Sequence, residues 1–172
     1  MKTAVVIVAI VAALTLQTTL AGLLAGGSIA VNLVLVAVVY LALSYGAVTG
    51  LLTGAIGGIA QDALAGGIVG LGGMSKTLVG FLVGVLGAQF NLTSTVPRLV
   101  MFVAATFAHE LVFAVLHAIV DRKAVALKLS VTLVQALVNG LVGVAAFLVT
   151  EKGPEAAQRR RTNRTSFSRR RF

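Results

Sequence analysis

Apolar residues run from Thr3 to Thr150 with few interruptions, and the breaks are short stretches of glycine, serine or a few charges. A half-buried strand alternates with period two and a soluble helix shows one apolar stripe, whereas runs of about 20 apolar residues match the hydrocarbon thickness of a bilayer. The pattern predicts six helices. The first spans Thr3 to Leu24 and ends in AGGS. The run from Ile29 to Ala65 is too long for one crossing and divides best at Ser44, Tyr45 and Gly46, into a second helix from Ile29 to Ser44 and a third from Gly46 to about Leu64. A connection with five glycines between Ala65 and Lys76 precedes the fourth, Met74 to Phe90. Pro97 suits the first turn of a fifth helix reaching Val120. The sixth extends from Ala126 to Thr150, ahead of Gly153 and Pro154, which read as a helix stop.

Composition narrows the class. Of 172 residues, 58% are hydrophobic and 11% charged, against about 25% charged in an ordinary soluble domain. The expected fold is therefore an all-α integral membrane protein. One polytopic membrane domain occupies residues 1–150, with a short tail over residues 151–172. The first apolar stretch exceeds the roughly 7–15 residues of a signal-peptide core, so it is read as a transmembrane helix. The absence of cysteine excludes disulfides and thiol chemistry.

Charge is concentrated at the carboxyl end. Arg159, Arg160, Arg161, Arg164, Arg169, Arg170 and Arg171 join Lys152 against Glu151 and Glu155. A segment so charged and so poor in apolar residues is expected to be a disordered cytoplasmic tail. Its arginines fit an anionic lipid surface, the nearest polyanion, better than nucleic acid. With Lys2 they predict both termini in the cytoplasm, which six crossings satisfy. Arg122, Lys123 and Lys128 then fall outside, against the same rule.

Glycines at Gly46, Gly50, Gly54 and Gly58 recur every four residues and so share one helix face, where the missing side chains let another backbone approach. Gly80 and Gly84 repeat the spacing in the fourth helix. These six are the expected packing or partner interface, and they admit a homo-oligomer. Asp62 follows the ladder directly and is the one formal charge between Lys2 and Lys76; near lipid such a group needs a partner or water. Glu110 lies in the fifth helix beside His109, with His117 seven residues on. It is read first as a polar group joining helices or touching a partner subunit, and second as a proton or cation site. Gln61 and Asn32 complete the polar candidates. With Gln17, Gln89, Gln135 and Asn139 they read mostly as interhelical hydrogen-bonding groups.

HELVF lacks the second histidine of a zinc-protease helix, and GIVGLGG lacks the lysine–serine ending of a phosphate loop. No nucleophile–base pair, metal set or cofactor motif is present, so a non-enzymatic, binding role is expected.

The segment VNLVLVAVVYLALSYGAVTGLLTGAIGGIAQDALAGGIVGLGGMSKTLVGFLVG resembles the rod shape-determining protein MreD family. Members have a Pro-Asp-Leu-like start to the second helix, a glycine-rich third helix ending in Gln-Asp or Leu-Asp, and Leu-Gly before the fourth. Here Gln61-Asp62, Gly66 and Leu71-Gly72 match, while Val31-Asn32 departs from the proline and acid. The resemblance implies a scaffold subunit of the bacterial cell-elongation complex, in the cytoplasmic membrane. Its partners would be an MreC-like protein and, indirectly, the MreB filament, RodA and a penicillin-binding protein, in lateral peptidoglycan synthesis. It also implies a fold similar to the substrate-binding subunits of energy-coupling-factor vitamin transporters, which supplies an alternative function. A transporter subunit should show convergent polar residues and a cavity of roughly 300 Å³ or more.

Overall fold

The computed structural model describes residues 2–23, 31–90, 94–121 and 128–168, with side chains for 3–20, 31–90, 94–121 and 128–151. The described residues form six helices and no strand: α1 (Lys2–Leu23), α2 (Leu33–Tyr45), α3 (Ala47–Ala65), α4 (Leu71–Gln89), α5 (Thr95–Asp121) and α6 (Leu129–Ser168). All but α2 are long and apolar enough to cross a bilayer. The fold is thus an all-α membrane protein.

The division within residues 29–65 is a helical hairpin. Gly46 alone joins α2 to α3, at φ 93°, a left-handed conformation that glycine adopts without strain. A methyl group at Gly50 would lie 2.7 Å from Ala42 Cβ, and one at Gly57 would lie 3.2 Å from Val34 Cγ1, so the two helices run antiparallel. Direction alternates through the rest of the bundle. Arg98 pairs with Glu151 and Glu110 with Gln135, setting α5 against α6. Lys2 and Glu151 therefore lie at one end of the bundle, and Asn32, Asp62 and Asp121 at the other.

The short helix is the central one. α2 touches all five others and buries Val34, Leu35, Val36, Val38, Val39, Leu41 and Ala42. Leu35, Val36 and Val39 join Val79, Val83, Phe102, Ala105 and Phe147 in the core. At 13 residues it is about 20 Å long, less than the roughly 30 Å of hydrocarbon around it. Its amino end is therefore sunk inside the bundle, where unpaired N–H groups would be costly. Side chains from three helices meet them. Asn32 Oδ1 accepts from Leu35 N (3.0 Å), Gln17 Oε1 from Leu33 N (2.7 Å), and Asn139 Oδ1 from Asn32 N (3.0 Å).

Several boundaries differ from expectation. α2 starts at Leu33 because Asn32 caps it, not at Ile29, which lies outside the described residues. α4 starts at Leu71, three residues before Met74. The expected start of the sixth helix at Ala126, and Arg122 and Lys123, lie outside the described residues. α6 passes Gly153 and Pro154 and continues to Ser168, so that pair is not a stop. The backbone of residues 151–168 continues this helix, and Ala, Glu, Gln and Arg there are good helix formers. Arg169, Arg170 and Arg171 lie outside the described residues.

Side chains join α5 to α6 at the end of the bundle where residue 151 lies. Glu151 accepts from Arg98 through both carboxylate oxygens, at 2.8 and 2.6 Å. The Arg98 guanidinium sits 4.4 Å over the Phe147 ring, and Tyr40, packed at a tilt against Phe147, donates to Thr150 Oγ1 (3.1 Å). Bidentate geometry and ring stacking together fasten the start of α5 to α6 at the tail end.

Candidate functional site

A cavity of about 290 Å³ opens at the end opposite the tail. Asn32, Gln61, Asp62 and Glu110, the four polar candidates read from the sequence, all line it, together with Lys76, His109 and His117. Residues up to 85 positions apart thus converge where α2 stops short. The floor is the capped start of α2, and the walls are the ends of α3 and α4 and the middle of α5.

Asp62 organises the α3–α4 wall. Its Oδ2 accepts from the backbone N–H of Gly70 (2.9 Å), Gly72 (2.9 Å) and Gly73 (3.2 Å). A carboxylate over unpaired N–H groups at a helix amino end is stabilised both by the hydrogen bonds and by the helix dipole. This clamp starts α4 at Leu71 and closes the turn through Gly70, which has φ 106°. Any side chain at Gly72 would run into the Asp62 carboxylate, which gives a physical reason for glycine after Leu71.

The glycine ladder sits beneath this clamp. A methyl group at Gly50 would strike the Gly80 carbonyl, one at Gly54 the Lys76 carbonyl, and one at Gly84 the Ala47 backbone; at Gly58 it would lie 2.5 Å from Gly73 Cα. Gly50, Gly54, Gly58, Gly80 and Gly84 thus lie between α3 and α4 of the same chain. Gly46 has open space at its Cβ position and serves the turn.

Lys76 was missed as a site residue, because a cation next to a glycine-rich connection reads as a flank. It lies inside α4 at 2% exposure. It feels both Asp62 and Glu110 electrostatically, but among the described residues it has no hydrogen bond or ion pair. The available signal was its spacing: Gly72, Lys76, Gly80 and Gly84 recur every four residues, on the face that meets α3. Arg98 and Glu151 were missed too, since nothing local links residues 53 positions apart.

Glu110 Oε1 accepts from Gln135 Nε2 (3.1 Å). His109 is 3% exposed and stacks through Phe113 towards His117, whose Nε2 lies 3.0 Å from Asp121 Oδ2. His109 Nδ1, His117 Nδ1 and Gln61 Oε1 are buried without a hydrogen-bond partner. Asn139 continues from the floor to Thr106, its Nδ2 donating to Oγ1 at 3.2 Å. Among the described residues no group of three or more acids or histidines is placed to hold a metal ion. The cavity thus gathers polar and ionisable side chains from α2, α3, α4 and α5 at one end of the bundle.

Fold and site define a multi-pass helical membrane protein with a polar-lined cavity at one end of the bundle. The family model for the rod shape-determining protein MreD matches residues 1–151, so the chain belongs to that family and is a rod shape-determining membrane protein. The match ends at the Arg98 partner. No curated protein and no solved structure gives a match, so the likeness to vitamin-transporter subunits rests on the resemblance alone.

Proposed function

We propose that the chain acts by binding and not by turnover, as the membrane scaffold through which an MreC-like partner joins the cell-elongation complex. Through that partner it would work with the MreB filament, RodA and a penicillin-binding protein in lateral peptidoglycan synthesis. The observation that carries this reading is the Asp62 clamp. It uses three backbone N–H groups to hold one exposed turn, and that turn presents Ile68 and Val69 to the surroundings at the cavity rim. Immobilising a turn in advance lowers the cost of docking on it. Ile68→Asp with Val69→Asp should abolish co-purification of an MreC-like protein while leaving the chain at its normal level. Unchanged recovery of the partner would place docking elsewhere.

The membrane would be the bacterial cytoplasmic membrane, with the cavity end outward and the arginine tail at the inner leaflet, where each basic residue adds about 1 kcal/mol of attraction to anionic lipid. Cysteines at Thr3→Cys and Ser166→Cys should then resist an impermeant thiol reagent in intact cells. Labelling at 166 from outside would reverse the orientation.

A second reading draws on the cavity itself. Its volume of about 290 Å³ and its seven polar side chains approach what a solute-binding subunit needs. Depletion separates the two. Rounded cells support the scaffold, and rod-shaped cells that fail to take up a vitamin-sized nutrient support transport.

A further inference from the structure

Lys76 and Glu110 carry opposite charges and line one cavity, yet no ion pair joins them. A buried ammonium without a counter-group is strongly disfavoured in a low-dielectric interior. The Asp62 carboxylate adds negative charge nearby but forms no ion pair with Lys76, its Oδ2 being shared among three backbone N–H donors. With both groups on the lining of one cavity and no ion pair between them, the site suits an occupant with an anion at one end and a hydrogen-bonding cation at the other.

The cavity has a neighbour. A second void of about 240 Å³ shares Gln61 and Ala65 with it and is otherwise lined by Leu14, Gln17, Thr18 and Leu64. Thr18 and Leu64 are exposed on α1 and α3. Gln61 thus stands between the charged chamber and this second groove, and its buried Oε1 has no partner.

We propose that the cavity binds the zwitterionic head group of a membrane lipid, phosphate on Lys76 and primary ammonium on Glu110, with the chains leaving past Gln61 between α1 and α3. His109, buried with Nδ1 unpartnered, supplies a further hydrogen-bonding atom for the head. A quaternary ammonium has no N–H to give Glu110, and a purely anionic head leaves that carboxylate unmatched. The chemistry selects a phosphoethanolamine-type group. This goes beyond the partner-binding reading and is measured on the chain alone, so the two can fail separately.

The test is native mass spectrometry of the full, delipidated chain in neutral maltoside micelles. It would be titrated with dioctanoyl phosphatidylethanolamine, the corresponding phosphatidylcholine and phosphatidylglycerol, and soluble phosphoethanolamine. Phosphatidylethanolamine should bind saturably and most tightly, and Lys76→Met and Glu110→Gln should each weaken it about tenfold, the loss for one charge-assisted contact. Thr18→Trp, on the exposed surface and so harmless to folding, should weaken the lipid while sparing soluble phosphoethanolamine. It also decides the matter if Lys76→Met fails to fold. Equal binding of the three lipids, or no effect of Thr18→Trp on lipid, overturns the proposal. Soluble phosphoethanolamine binding as tightly as the lipid overturns the membrane source and makes this a solute site.

Discussion

Gly54→Leu is expected to remove the protein from the membrane, whereas Leu52→Ile accumulates normally. At Gly54 the position of a first side-chain carbon already overlaps the Lys76 carbonyl, and it lies 2.6 Å from the Lys76 carbonyl carbon and 2.7 Å from Thr77 N. Overpacking a core by a methylene or two costs about 1–3 kcal/mol when side chains can shift. Here the obstacle is backbone, so α3 and α4 must separate along their length, taking the Gly50–Gly80 and Gly58–Gly73 contacts with them. Leu52 is exposed on the same helix and tolerates a change of shape. Steady-state protein level and thermal unfolding in detergent measure the difference. A Gly54→Leu protein with wild-type level and melting temperature would mean that the helices do not meet as described.

Asp62 should give the second largest effect, graded by what replaces it. Asp62→Leu leaves the N–H groups of Gly70, Gly72 and Gly73 without their shared acceptor. Each buried orphan donor costs about 1–3 kcal/mol. Asp62→Asn keeps the shape and one acceptor oxygen but loses the charge, and a neutral hydrogen bond is about half as strong. Stability should therefore fall from wild type to Asn to Leu, and rod-shape complementation should fall in the same order. The turn is part of the proposed docking surface, so shape should be lost before the protein is. Equal melting of all three, with normal rods, would deprive the clamp of both roles.

How much of this could be read from the chain depends on how local each interaction is. The hairpin was legible because an over-long apolar run held a single glycine at its natural break. The ladder was legible because four-residue spacing places glycines on one face whatever they meet. That Gly46 left the face for the turn depends on its φ, which spacing does not encode. Asp62 was conspicuous as an isolated charge, yet its acceptor role appears only when the turn folds back 8–11 residues. Least legible were the tertiary arrangements. Gln17 and Asn139 cap a helix start that is buried only because α2 is short, and Lys76 is buried because its face of α4 packs on α3. Pro154 misled because a proline within a row of helix formers does not always end it.

The shortness of α2 has a consequence for biogenesis. An insertion machinery meets helices one at a time, and this one is too short to span by itself, with most of its surface covered by the other helices in the finished bundle. It has no stable resting place until α3 has emerged to fold back across Gly46, and no complete shelter until α4, α5 and α6 have arrived. The hairpin is therefore the smallest unit that can leave the translocon, and the bundle closes around its own second helix only when synthesis of the sixth is complete.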